Sequence, residues 1–457
     1  MRNYYWFIGF CTVIFIFLSV LLAGCNNPTG GGSNAPGGSS GLSIEWAKCY
    51  GGSGYEGAND VLQTIDGGYV VVGFSTSSNE GDVVGINRGI YDYWTIKLNL
   101  SGSIEWQNYI GGSDQDVARS VYQTLDGNYV IAGVTLSNNG DVSGNHNSGY
   151  SDVWLVKLNS NGTVESKKCF GGTNSEGVFK ITKTTDGKYI YAGYTGSNDG
   201  DVNGIHSSGS FYYDCWVVKL DSTGTNIEWQ KCYGGTLEEH ASDILQTSDG
   251  GYVFAGTARS NDGDVSGNNG GLDLWVVKLN SLGTLEWQKC FGGSGDEYSS
   301  GIQQTSDGGY IVCADTPSND KDVNGNHGGI ADAWIIKLTS QGTLEWQKCL
   351  GGSGYDSLRD IIQISDGGYI CVGETDSNDG DISGNHGNGD GWLVKLNSSG
   401  TNIEWQMCIG GSSDESISKI KKTTDGGYVL VGRTNSNDGD VSGNHGGYRD
   451  LWVVKMK

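Results

Sequence analysis

The chain of 457 residues carries 28 Lys and Arg against 52 Asp and Glu, with 78 Gly, 3 Pro and 11 Cys. A formal charge of -24 excludes the basic footprint that a nucleic-acid partner requires, and glycine without a Gly-X-Y period excludes collagen. The 14 Trp and 24 Tyr supply bulky core material and exclude a disordered chain, while abundant Gly favours short strands joined by turns.

In chain order, Arg2 precedes a nearly uninterrupted apolar run from Tyr4 to Ala23, which ends in Leu22-Ala23-Gly24-Cys25. A charged start, an apolar stretch and small residues describe an export signal over 1–24. The run is also long enough to span a bilayer as an uncleaved anchor. Leu22-Ala23-Gly24-Cys25 resembles the lipobox of bacterial lipoproteins. The resemblance implies cleavage before Cys25, lipidation of its thiol, and a body held to a membrane outside the cytoplasm. Residues 25–41, rich in Gly, Ser and Asn after the cysteine, form a flexible tether. The expected body is 42–457, a soluble monomer.

That body repeats. A Trp opens an apolar run at Trp94, Trp154, Trp216, Trp275, Trp334, Trp392 and Trp452, at spacings of 58 to 62 residues. A second marker, Glu-Trp, recurs at Trp46, Trp106, Trp229, Trp287, Trp346 and Trp405, with Ser166 in the remaining copy. Each unit reads as four strands. Asp249-Gly250 separates Ile244-Thr247 from Tyr252-Gly256 and predicts a hairpin with a type I′ turn, which needs positive φ at both central residues. Trp275-Leu279 follows a polar loop, and Leu285-Phe291 completes the unit before Gly292-Gly293.

Units of about sixty residues with four antiparallel strands are propeller blades. The body opens on a fourth strand (Ile44 to Tyr50) and stops after a third (Leu451 to Met456). The predicted fold is therefore all-β, a seven-bladed β-propeller of four-stranded antiparallel blades, closed by the N-terminal strand completing the last blade. Closure also shields sheet edges. The hairpin Asp425 to Gly432, the strand Trp275 to Leu279 and the end Cys290 to Gly293 resemble the bacterial β-propeller repeat families of the SBBP type. That resemblance spans nearly all of 42–457 and implies a fold and a cell-surface or secreted setting, but no activity.

The recurring Trp, and the seven Tyr that follow the hairpin turn (Tyr69, Tyr129, Tyr189, Tyr252, Tyr310, Tyr369 and Tyr428), are expected to pack neighbouring blades rather than stack on sugars. Cys49, Cys169, Cys232, Cys290, Cys349 and Cys408 share one register, a blade apart. Disulfides need Cα atoms within about 7 Å, so these are read as small buried hydrophobes.

The loop between second and third strands is acidic. In the last copy, Asp438-x-Asp440-x-Ser442-Gly443 resembles the start of the EF-hand pattern and the calcium loops of integrin-type propellers, since alternate oxygens can converge on a hard cation. The resemblance implies Ca²⁺ ligands at Asp438, Asp440, Ser442, Asn444 and Asp450. Close copies supply Asp199, Asp201 and Asn203; Asp262, Asp264, Ser266, Asn268 and Asp273; Asp320, Asp322 and Asn324; and Asp379, Asp381, Ser383, Asn385 and Asp390. The first loop has Glu80, Val84 and Ile86 at the first, fifth and seventh places, where little metal is expected. The alternative is that these residues build turns by bonding local amides.

Strand alternation places these loops on one face with the blade-to-blade connections, which carry Glu56, Asp116, Glu176, Glu239, Asp296, Glu297, Asp356 and Glu415 among others. One carboxylate-crowded face therefore needs cations or a basic partner. The least regular copy, with Ser166, Ile205 and the insertion Phe211-Tyr212-Tyr213, is the candidate for asymmetric contact. Thr247-x-Asp249-x-Gly251-x-x-Phe254 loosely resembles the sialidase Asp-box, a structural motif. With no nucleophile elbow or zinc signature, the expected role is a binding or scaffold module for a protein or glycan ligand at the cell envelope, with a carbohydrate-active enzyme as the alternative.

Overall fold

The computed structural model of the chain describes residues 41–207 and 212–457. The expected export signal, Cys25 and all but the last residue of the tether lie outside the described residues. Within these, 28 strands form seven four-stranded antiparallel sheets and no helix. Six blades are continuous in sequence, at 56–110, 116–170, 176–233, 239–291, 298–350 and 356–409. The seventh joins three strands of 415–456 to Ile44–Tyr50. This strand runs antiparallel to Asp450–Met456, with Cys49 opposite Trp452 and Tyr50 opposite Leu451. Reciprocal backbone bonds of 2.9 Å between Ser43 and Lys457 extend the seam. The ring closes as the sequence predicts.

The seven strand tryptophans are fully buried and wedge the blades apart. Trp275, for example, packs with Val277 of its own blade and with Cys215 and Tyr233 of the one before. Glu-Trp rings lie across the same boundaries, as where Trp46 meets Tyr69 edge-on at 6.0 Å. Opposite Trp275 in the second strand stands Gly256, where a β-carbon would collide with the carbonyl oxygen of His240. None of the nine described cysteines forms a disulfide, and all but Cys290 are buried. Burial pushes the thiols up, those of Cys49, Cys169, Cys349 and Cys408 to about 12.

The hairpin turn differs from expectation. Gly67 N donates to Thr64 O at 2.8 Å, so Ile65 and Asp66 are its central residues, and only Gly67 has positive φ, at 91°. This is a type I turn closed by a left-handed glycine, not type I′. The reason is the aspartate side chain. Asp66 Oδ1 accepts from the Thr64 hydroxyl and from Gly68 N at 3.1 Å, which fixes Asp66 in the third place of the turn. The pattern recurs at Asp249 and Asp307.

Candidate functional site: the loop face

The long loops between second and third strands emerge beside the blade-to-blade connections, as alternation requires. Each opens with a polar residue that faces the connection leading into its own blade. Asp262 accepts from the amide and hydroxyl of Thr236, both at 2.8 Å, and these bonds hold its carboxyl below the usual range. Asp199 accepts likewise from the amide and hydroxyl of Thr173. Asp320, Asp379 and Asp438 accept from the amides of Ser294, Ser353 and Ser412. Asn139 takes this place in the second blade and Glu80 in the first.

The other predicted ligands turn elsewhere. At the fifth place, Ser266 Oγ and Ser383 Oγ accept from Gln288 and Gln406 of the outer strand. The backbone carbonyls of Asn203 and Asn324 accept from Gln230 and Gln347, and Ser442 is exposed. At the seventh place, Asn268, Asn385 and Asn444 donate to carbonyls at the end of the second strand. The loop therefore folds with its alternate oxygens directed to different partners. Among the described residues, no three acidic, thiol or imidazole groups converge to hold a metal ion.

The third loop residue belongs to a different device. In the last blade, His445 Nδ1 lies 2.7 Å from Asp450 while its Nε2 lies 3.3 Å from Asp82 in the first. His146 likewise links Asp152 to Asp201, His206 links Asp214 to Asp264, and His327 links Asp332 to Asp381. Asn269 bonds Asp273 through its amide and Asp322 through its side chain at 2.9 Å. Arg88 bonds Asp92 and Asp141 in the same manner. His386 is bonded to Asp390 at 2.6 Å and feels the charge of Asp440. Six of these side chains thus staple one blade to the next, and His386 faces the next blade through charge alone. For His146, burial opposes protonation, but the hydrogen bond that Nδ1 donates to Asp152 and the charges of Asp152 and Asp201 outweigh it and raise the pKa.

Beneath the staples lie paired carboxyls. Glu56, Asp116, Glu176, Glu239, Glu297, Asp356 and Glu415 are buried, a correction to the expectation that they crowd the surface. Glu56 accepts from Gly52 N, Ser75 Oγ and Ser77 Oγ at 2.8 to 3.0 Å, so it folds inward to satisfy the connection. The point a β-carbon on Gly51 would occupy lies 2.7 Å from Glu56 Oε2 and 2.8 Å from Asp450 Oδ1. The same pairing recurs beside Gly171, Gly351 and Gly410. Oδ1 of Asp92, Asp152, Asp273, Asp332, Asp390 and Asp450 is buried without a hydrogen-bond partner. Burial, reinforced by the neighbouring carboxylate, pushes Asp92 to about 6 and Asp273 to about 7. Burial likewise pushes Glu176 to about 7, against its own hydrogen bonds.

One layer departs from the repeat. The sixth residue of the second strand is Phe74, Val134, Tyr194, Thr257, Asp315, Glu374 and Arg433 in successive blades. Around it, Tyr55 stacks on Phe74 at 5.5 Å and Phe74 meets Tyr91 at 5.0 Å. Arg433 and Arg449 both donate to Tyr55 Oη, at 3.4 and 3.2 Å. Arg359 bonds Glu374 at 2.9 Å and lies 3.6 Å from Asp315. Burial pushes Asp315 up, to about 6, despite Arg359. A second aromatic group, Tyr194 with Tyr213 and His240 at 5.0 and 5.4 Å, sits in the third and fourth blades. Tyr213 belongs to the irregular copy expected to break symmetry. The arginines were not recognisable as a cluster in the sequence, because Arg359 comes from the sixth blade and Arg433 and Arg449 from separate elements of the seventh.

No family model matches the chain, and no curated protein is detectably similar to it. Solved structures with a similar fold include the WD40 domain of Pan2 from Neurospora crassa, 9% identical, covering 90% of this chain and 95% of that one with a TM-score of 0.49. Sqt1 from Chaetomium thermophilum is 10% identical over 91% of this chain and 99% of its own, at 0.43. The β-propeller domain of the trilobed protease from Pyrococcus furiosus is 10% identical over 91% and 96%, also at 0.43.

Proposed function

We propose that the chain is a cell-envelope lipoprotein of the SBBP-like repeat type, whose propeller is a binding module that takes a protein ligand on its loop face. The observation that carries this reading is the confined asymmetry. Seven copies agree in their strand tryptophans, hairpin turns and buried acids, yet differ at the register of Phe74, Tyr194, Glu374 and Arg433. Loops and strand ends on a rigid scaffold are where ligand contacts are expected. The carboxyl pairs with raised pKa support binding over catalysis, because they recur from blade to blade and are closed to solvent, whereas a catalytic pair would be singular and accessible. Leu22-Ala23-Gly24-Cys25 after the apolar run supports the lipid anchor.

A photo-crosslinking residue placed at Tyr91 in the full chain, in its native envelope, tests the face against the same residue placed at Leu125 on the opposite hairpin turns. Cross-links to a partner are expected from position 91 and absent from position 125; equal yields would remove the assignment. Cys25→Ala is expected to move the protein from the membrane fraction to the soluble one.

A further inference from the structure

Eight of the twelve exposed large apolar side chains of the described residues lie on the loop face. Five share one register, two positions before the buried aspartate that opens the third strand: Ile90 (51% exposed), Tyr150 (45%), Tyr212 (39%), Ile330 (66%) and Tyr448 (75%). Three of them are held by the backbone, with Tyr448 N bonded to Gly54 O, Ile90 N to Asp114 O and Ile330 N to Gly354 O. The ring is therefore a built feature of the fold. In the first blade, where the acidic loop pattern is lost, Val84 and Ile86 add to it at 67% and 63% exposure.

Charge is distributed unevenly around this ring. Asp199, Asp262, Asp320, Asp379 and Asp438 stand exposed on the same loops, each accepting hydrogen bonds but, among the described residues, facing no cation within ion-pair range. On the opposite face, turn aspartates are neutralised by lysines of the third strand, as Asp66 is by Lys97 and Asp307 by Lys337. The loop face thus joins a fixed apolar crown to uncompensated negative charge, on a chain whose net charge is -24.

We propose that this crown is a docking surface for a cationic polypeptide segment carrying aromatic or large aliphatic anchors. The inference rests on the binding reading above and names its ligand class. Isoleucine at two of the five positions offers no flat face for a sugar to stack on, while mixed Tyr and aliphatic side chains suit protein anchors. A neutral glycan can donate hydroxyl hydrogen bonds to the carboxylates but brings no positive charge to offset theirs. A second copy of this chain would bring the same negative charge against them. A basic segment gains from both features, its charge steering the approach.

Selection of a displayed random dodecapeptide library on the intact chain tests this. The enriched peptides are expected to be net positive with at least one aromatic or large aliphatic residue. One of them, made synthetically and measured by fluorescence anisotropy, is expected to bind at least about tenfold more weakly to the triple variant Ile90→Ser, Ile330→Ser, Tyr448→Ser. It should also weaken with added salt, and be unaffected by Leu125→Ser. Enrichment of acidic or purely polar peptides, or equal affinity for the triple variant with unchanged melting, overturns the proposal. Sedimentation showing a dimer that the triple variant dissociates would assign the crown to self-association instead. If the peptides fail while position 91 still cross-links a partner, the binding face stands and only its ligand class falls.

Discussion

His445 lies between Asp450, its own blade's buried carboxylate, and Asp82 in the blade that follows it around the ring, 2.7 and 3.3 Å away. Residues 363 positions apart in sequence are thereby stapled across the boundary between the seventh blade, which the N-terminal strand completes, and the first. His445→Ala leaves a fully buried Asp450 without the imidazole. Removing one partner of a buried charged hydrogen bond costs about 1.5–3 kcal/mol, and we expect a loss of that order in urea unfolding. Asn is expected to recover part of it, because Asn269 performs the same task in the fourth blade.

Acidity should stabilise the fold. The carboxyls of Asp92, Asp116, Glu176 and Asp273 are pushed to about 6 or 7 by burial, above their values in an unfolded chain. Between pH 4 and 7 the folded state therefore holds more protons than the unfolded state, and stability falls as pH rises through that window. The raised imidazoles of His146 and His386 act in the same sense, their contribution being present below about pH 6.5 and lost above it. Opposing them are Asp60, Asp186, Asp249 and Asp307, lowered to about 2 by lysines and hydrogen bonds against the effect of burial. Their stabilisation is lost below pH 4. A melting-temperature maximum at about pH 4, at least about 3 °C above the value at pH 8, is the expected profile by calorimetry. A monotonic rise from pH 4 to 8 would contradict the raised carboxyls.

Calcium should not move the melting temperature by more than about 1 °C when compared with excess chelator, because the loop oxygens are already engaged by amides, hydroxyls and glutamines. A rise of several degrees would mean that the loops refold around the ion, as the EF-hand-like reading of Asp262 to Asp273 expects.

Gly256→Ala is expected to destabilise by about 2–4 kcal/mol, since the added methyl meets a backbone carbonyl that no rotamer change can move. The fifth blade carries Ala314 at this register, opposite Ser299, so the cost should fall on blades with the glycine. Alanine scanning of Gly256 against Ala314→Gly, followed by chemical denaturation, checks the difference.

The blade count, the wedge tryptophans and the circular closure were legible because each rests on a residue repeated at fixed spacing with a local physical meaning. Asp249-Gly250 announced a turn, although not its type, since the type depends on where Thr247 and the aspartate side chain bond. The seven buried acids carried a signal that went unread: each stands four residues after the second glycine of the Gly-Gly pair, as Glu56 does after Gly52. Sequence shows a carboxylate near a surface turn; only the fold shows that it points inward. The staples were hidden for another reason. Arg88, Asn269 and the histidines differ chemically and join loops of successive blades, so no linear motif contains them.

The seam between Ile44–Tyr50 and Asp450–Met456 sets an order of events. The strand made first waits for the strand made last, and non-local pairing of this span is slow to form. Until Trp452 has emerged, the body is a row of blades with two raw edges, vulnerable to sticking to its neighbours. Losing even a few residues after Arg449 therefore forfeits the circle rather than one strand.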